Sequence, residues 1–318
     1  MSEQKQSNAV SILSVLGALI LWGSSFVAIK FAYTTYPPLT LAVARFVVAS
    51  LILGALTLLP QNRVRLQKKD IFTVAICGLT GIMLYAVLQN IAMQWTSASS
   101  ATLIIASYPI ITLLMESVIY KKKLSAIKIV AILIAIVGVV ILSYVKSESR
   151  VEGELLGIIL LIIAGVAWAV YNFMMKRVVN HYPPITLLFY TTLIGTIFLL
   201  PLALLERAQW QQPTLLSFSM MMFLGVFCSV IAYLLYNRGL KTMAPSTITS
   251  MLNLMPIIGV FFSWVLLGEQ VTLRKIIGGA IVIFGVMLSV RKTKSDAIKE
   301  TVAVEAAANA EASTHESA

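Results

Sequence analysis

Apolar runs long enough to cross a bilayer recur along almost the whole chain, and they leave few folds open. A spanning helix needs about 20 predominantly apolar residues. We read ten such runs, at 10–33, 39–59, 71–93, 98–120, 126–144, 155–175, 185–205, 217–237, 245–267 and 274–290. In hydrocarbon every backbone polar group must be satisfied internally, so only helices and closed barrels span. Barrel strands alternate polar and apolar residues, and these runs do not. Only 12% of the 318 residues are charged, against roughly 25% in soluble domains. The sequence therefore predicts an all-α polytopic membrane protein with ten transmembrane helices, a multi-pass protein of the cell membrane.

A second feature divides the chain in two. Tyr36-Pro37-Pro38-Leu39-Thr40 returns as Tyr182-Pro183-Pro184-Ile185-Thr186, and at the same offset of 146 Trp22 matches Trp168 and Lys30 matches Lys176. Further along, at an offset of 147, Gly78 matches Gly225, Asn90 matches Asn237, and Pro109-Ile110-Ile111 matches Pro256-Ile257-Ile258. A self-similarity sustained this far means duplicated architecture. Each copy holds five runs. Five is odd, so the second copy is expected upside down relative to the first. Inverted five-helix repeats are a design of secondary transporters, with a substrate site near mid-membrane.

The basic residues orient the chain. With the N-terminus inside, 17 of the 24 Lys and Arg fall on the cytoplasmic side and 6 outside, with Arg45 inside a run. That bias predicts both termini in the cytoplasm, and it accounts for the net charge of +11 without a nucleic-acid partner. The expected divisions are a polar segment at 1–9, a first unit at 10–144, a linker at 145–154, a second unit at 155–290 and a disordered cytoplasmic tail at 291–318. The first run is long for a signal peptide and belongs to the repeat, so it is expected to be retained.

Trp22-Gly23-Ser24-Ser25-Phe26, Ala44-Arg45-Phe46, and Pro256 followed by Leu267-Gly268-Glu269 together resemble motifs of the EamA family of the drug/metabolite transporter superfamily. The likeness covers about 10–290. Two positions depart between the units: Lys121-Lys122 stands opposite Gly268-Glu269, and Thr191 opposite Arg45. The resemblance implies a ten-helix exporter of amino acids or similar small metabolites.

Several polar side chains fall inside apolar runs. Trp22 and Trp168 lie at mid-run, whereas tryptophan usually sits at the interface. Helix packing and a cavity wall are both open readings. Ser24, Ser25, Tyr171 and Asn172 lie close by in sequence. Tyr85 and Gln89 share one helix face by their spacing of four, as do Tyr233 and Asn237. They serve either as hydrogen-bonding glue between helices or as a face toward substrate. Arg45 costs about 2.5–3.5 kcal/mol at a helix centre. It either attracts an anionic group such as a substrate carboxylate or is tied to carbonyls and outer loops. Glu116 either pairs with Lys121, Lys122 and Lys123 or exchanges protons, which are the candidate coupling ion. Lys30 is close enough to the outer face to snorkel. Pro109 and Pro256 each strip a partner from the carbonyl four residues back, at Ile105 and Leu252. They are read as kinks or hinges beside Tyr108 and Asn253, with Gly78 and Gly225 loosening adjacent helices.

Transport of a small molecule by alternating access is the leading reading, and the resemblance implies that it runs outward. A lipid or headgroup flippase is the alternative. An intramembrane enzyme is a distant one, because Asp70, Asp296, His181 and His315 all lie outside the runs, and no phosphate-binding loop, metal cluster or nucleophile elbow is present. Cys77 and Cys228, inside apolar runs, suggest neither disulfide nor metal. No cofactor is expected, and the sequence leaves the oligomeric state open.

Overall fold

The computed structural model describes residues 2–119, 121, 126–143, 153–243 and 245–290. Most of the expected linker, the tail at 291–318, and Lys122 and Lys123 lie outside the described residues. Among the described residues the chain is helical throughout, without strands. We label the helices α1 (Ser2–Ala32), α2 (Pro38–Thr57), α3 (Lys68–Trp95), α4 (Ala98–Ile119), α5 (Ala126–Ser143), α6 (Glu154–Val178), α7 (Pro184–Ala203), α8 (Leu215–Thr242), α9 (Pro245–Leu267) and α10 (Leu273–Val290). Eight of them, all but α5 and α10, are long and apolar enough to cross a bilayer. Large apolar side chains such as Leu51, Phe72, Val118, Phe261 and Met287 point outward and exposed. In water such a surface would be a liability; in lipid it is matched to the solvent. The chain is a multi-pass membrane protein.

The two Tyr-Pro-Pro copies start helices. Pro38 and Pro184 occupy the first helical position of α2 and α7, where a missing N–H costs nothing and a fixed φ favours the helix. α4 and α9 are each broken near the middle. α4 is interrupted at 106–107 and resumes at Tyr108, while α9 passes through a 3₁₀ turn, Met251–Leu254, and resumes at Met255. Pro109 and Pro256 each fall one residue into the resumed helix, so each break lies just upstream of its proline. α3 and α8 contain π-helical stretches, Gly78–Leu84 and Leu224–Ile231.

Helix pairing is unchanged when the halves are exchanged. α1 packs on α8 as α6 packs on α3, α2 pairs with α7, and α5 pairs with α10. Residues 146 apart meet at the centre: Ser50 Oγ lies 3.1 Å from Thr196 Oγ1, and the Trp22 and Trp168 rings are 5.4 Å apart, edge to face. Lys30 has a fixed partner at the helix end. It donates to the Met93 carbonyl at the end of α3 (2.5 Å), and Lys176 does the same for Leu240 and Met243 at the end of α8 (2.5 and 2.8 Å). Each lysine caps the C-terminus of its own unit's third helix, where a cation is favoured by the exposed carbonyls.

Gly78 and Gly225 are points of close approach. A Cβ on Gly78 would lie 2.6 Å from the Thr191 carbonyl oxygen, and one on Gly225 would lie 2.9 Å from Val48 Cγ1 and 3.2 Å from the Arg45 carbonyl oxygen. α3 thus presses on α7 at Thr191 as α8 presses on α2 at Arg45, the position equivalent to it. Gly78→Val is expected to destabilise by about 1–3 kcal/mol through overpacking. Gly225→Val is expected to cost less, since its nearest obstacle is a side chain that can yield. Thermal midpoints of the two variants in detergent measure the difference.

Candidate functional site: a cavity between the two halves

Where α1, α2, α3, α4, α6, α8 and α9 converge, the helices leave a narrow cavity of about 20 Å³. Its walls carry Trp22, Ser25, Arg45, Tyr85, Gln89, Trp168 and Tyr233, all singled out by the sequence, together with Phe26, Ile105, Tyr108, Leu252 and Met255. The breaks in α4 and α9 supply Ile105, Tyr108, Leu252 and Met255, so the interrupted helices border the cavity.

The aromatic side chains are fixed by one another. Trp22 meets Tyr233 at 5.3 Å, and Trp168 meets Tyr85 at 5.1 Å. Trp22 Nε1 donates to the Cys228 carbonyl (2.9 Å), inside the π stretch of α8, and the Tyr233 hydroxyl donates to the Gly81 carbonyl (2.9 Å), inside that of α3. A π turn widens the helix and leaves carbonyls free for such bonds, which is one reason these turns recur at functional sites. Edge-to-face and offset contacts of this kind add about 0.5–1.5 kcal/mol per pair beyond area burial.

Arg45 is 5% exposed. Its Nε donates to Ser229 Oγ on α8 (3.0 Å), and its guanidinium carbon stands 4.8 Å from the Phe46 ring centroid. Among the described residues, no carboxylate lies within ion-pair distance of it. The Arg45 terminal nitrogens, the Gln89 amide and the Tyr85 hydroxyl, all on the cavity wall, make no hydrogen bond to another described residue. A cation, an amide and a phenol are thus available to a guest, inside an aromatic cage. Ser25 is less free, because its hydroxyl donates to the Trp22 carbonyl (2.7 Å).

Other sequence candidates stand behind this wall. Tyr171 stacks on Trp168 at 4.9 Å and donates to Asn237 Oδ1 (2.9 Å). Asn172 donates to the Trp168 carbonyl (2.7 Å) and accepts from the Tyr236 hydroxyl (2.9 Å). Both are fully buried and outside the lining; they hold the Trp168 helix against α8. Asn253, in the 3₁₀ turn of α9, is half-buried and also outside the lining, with its Oδ1 unpaired among the described residues. Glu116 lies in the second half of α4, away from the cavity. Its Oε2 is buried without a hydrogen-bond partner among the described residues, and Lys121 is exposed. Ser229 and Met255 were not singled out by the sequence, and Phe26 and Leu252 entered only through the Trp22–Phe26 motif and the carbonyl that Pro256 strips: a serine or an apolar residue in an apolar run carries no mark of the side it faces. The spacing of three between Leu252 and Met255, next to a proline break, is the one signal that could have found that pair.

A membrane-embedded helical bundle that closes around a cation-bearing, aromatic-lined cavity has the features of a small-molecule transporter. The profile of the EamA-like transporter family matches the chain twice, over residues 9–144 and 155–291. The chain belongs to this family, and it is a transporter of the cell membrane. Among curated relatives, an uncharacterized transporter of Archaeoglobus fulgidus is 28% identical over 271 residues, covering 85% of this chain and 95% of its own. A probable terminal-alkyne amino-acid exporter of Streptantibioticus cattleyicolor is 28% identical over 289 residues, covering 91% and 95%. One protein of known crystal structure superposes with a TM-score of 0.66 at 17% identity, over 89% of this chain and 96% of its own; that likeness concerns the fold.

Proposed function

We propose that the protein exports small metabolites bearing a carboxylate, amino acids or related compounds, by alternating access around the central cavity. The observation that carries the reading is Arg45, buried in the cavity wall without a carboxylate partner among the described residues and flanked by the free polar ends of Gln89 and Tyr85. A buried cation with no counter-ion is costly, and an anionic guest relieves that cost. The aromatic cage suits the guest's apolar body. The relative named a probable terminal-alkyne amino-acid exporter fits this class.

In the same reading the chain crosses the membrane ten times, α5 and α10 included, as two inverted units at 10–144 and 155–290, with both termini in the cytoplasm. The exchange-invariant pairing of helices and the contacts between residues 146 apart support it, as does the bias of basic residues. Rocking of the two units about that centre opens the cavity to either face in turn. Burial of Trp22 and Trp168 inside the bundle argues against the flippase alternative, which a lateral opening lined by the pair would favour.

Proteoliposomes loaded with a panel of amino acids and with the matching decarboxylated amines test the substrate class. Exchange of the acids and not the amines is the expected result, and equal exchange of both would overturn it. The same liposomes test coupling. With an imposed pH gradient, Glu116→Gln is expected to remove the gradient dependence of flux, while retained dependence would return Glu116 to the lysine cluster beside it. Concentrative uptake by intact cells would refute the export direction.

A further inference from the structure

A second chamber opens at the end of the bundle where α1 turns into α2. Its volume is about 310 Å³, and its walls include Tyr33, Thr35 and Tyr36 from one half and Gln209 and Gln211 from the other, with Gln94 at the end of α3. The lining is polar and uncharged. Apart from Pro37 and Pro38 it offers hydrogen-bonding side chains, and no cation to retain an anion.

Tyr33 connects the two spaces. It belongs to the chamber wall, and its hydroxyl reaches α3, donating to the Asn90 carbonyl (2.6 Å) with Asn90 Oδ1 3.3 Å away. Asn90 is fully buried and follows Gln89, which lines the central cavity. On α3, Gln89 lines the central cavity and Gln94 the chamber, and Asn90, four residues before Gln94, lies on the same helix face as Gln94.

We propose that Tyr33 is the plug between the central cavity and this outer chamber, and that the chamber is the vestibule through which a carboxylate-bearing substrate leaves. The inference rests on the export reading for its direction. A guest that leaves Arg45 for a neutral polar lining exchanges an ion pair for weaker hydrogen bonds, so the vestibule passes it on rather than holding it. Rupture of the Tyr33–Asn90 bond, with the ring swinging toward the chamber, connects the two spaces.

The test needs no substrate, which separates its failure from failure of the export reading. Cysteines are introduced at Ser25→Cys in the cavity or Thr35→Cys in the chamber. The native Cys77 and Cys228 are buried, and the unmodified protein serves as the blank. A membrane-impermeant methanethiosulfonate is applied to intact cells. Thr35→Cys is expected to react rapidly whatever stands at 33. Ser25→Cys is expected to react slowly with Tyr33 present and faster by about tenfold in Tyr33→Phe, the population shift that follows from losing one buried hydrogen bond; Tyr33→Ala is expected to exceed that. Should Tyr33→Ala fail to reach the membrane, Tyr33→Phe decides alone. An unchanged Ser25→Cys rate, or a Thr35→Cys that does not react from outside, would overturn the proposal.

Discussion

Replacing Arg45 with alanine is expected to abolish transport while the protein still inserts and folds. The two halves of that expectation have separate causes. Truncating one partner of a desolvated charge pair costs about 2–5 kcal/mol, which is roughly 30-fold to several-thousand-fold in affinity for the anionic form of the guest. The fold loses little. The hydrogen-bond partner of Arg45 among the described residues is a neutral hydroxyl, Ser229 Oγ, and the substitution removes a buried cation without stranding a buried carboxylate. Arg45→Lys is expected to fall between, because an ammonium keeps the charge and loses the planar fork that matches a carboxylate. Flux in proteoliposomes, with the thermal midpoint and elution profile in detergent as folding controls, checks all three forms. Wild-type flux in Arg45→Ala would remove Arg45 from substrate binding and leave it a structural residue between α2 and α8.

The Arg45 prediction was accessible from the sequence alone because a cation in an apolar run is conspicuous. The same holds for Trp22, Trp168, Tyr85 and Gln89, which lipid would not favour at mid-run and which the fold brings to one cavity. The offset of 146 carried further still, since equivalents such as Ser50 and Thr196 touch. What stayed hidden has two physical causes. Rotation of a helix about its axis cannot be read where every face is apolar, so Leu252 and Met255 looked no different from the outward-facing Ile257 and Phe261. It also put Tyr171 and Asn172 one layer behind the wall. Long-range backbone capping leaves no local mark either. Lys30 looked like an interfacial lysine, yet it closes the end of α3, and nothing near Gly78 or Leu224 announces a π turn.

Glu269 is the sharpest case of such a hidden contact, and its removal is expected to be the most damaging single change outside the cavity. Gly268 ends α9 in the left-handed region, at φ +64°, a conformation that costs an L side chain about 1–2 kcal/mol. The turn directs Glu269 onto the start of α4. There its carboxylate accepts from the Ala98 and Ser99 amides (2.9 and 3.2 Å) and from Ser99 Oγ (2.5 Å), while Lys275, 3.9 Å from the carboxylate, donates to Ser97 Oγ and Ser99 Oγ (3.1 and 2.7 Å). An anion on free N–H groups at a helix N-terminus is favoured by the helix dipole, and hydrogen bonds to a charged group contribute about 1.5–3 kcal/mol each. Since Ser97 still caps Ser100, not all of the helix start is lost, and Glu269→Ala is expected to cost about 2–4 kcal/mol. Glu269→Gln keeps an acceptor without the charge and should lose roughly half as much. The contact joins the second half of the chain to the first. Glu206 makes the matching one, accepting from the Leu39 and Thr40 amides at the start of α2 (3.1 and 2.7 Å). A double-mutant cycle between Glu269→Ala and Ser99→Ala, read as thermal midpoints in detergent, isolates the direct term. A coupling near zero would mean that Glu269 acts through its turn alone, whereas the geometry requires the two side chains to be coupled and the two halves to loosen together when either is removed.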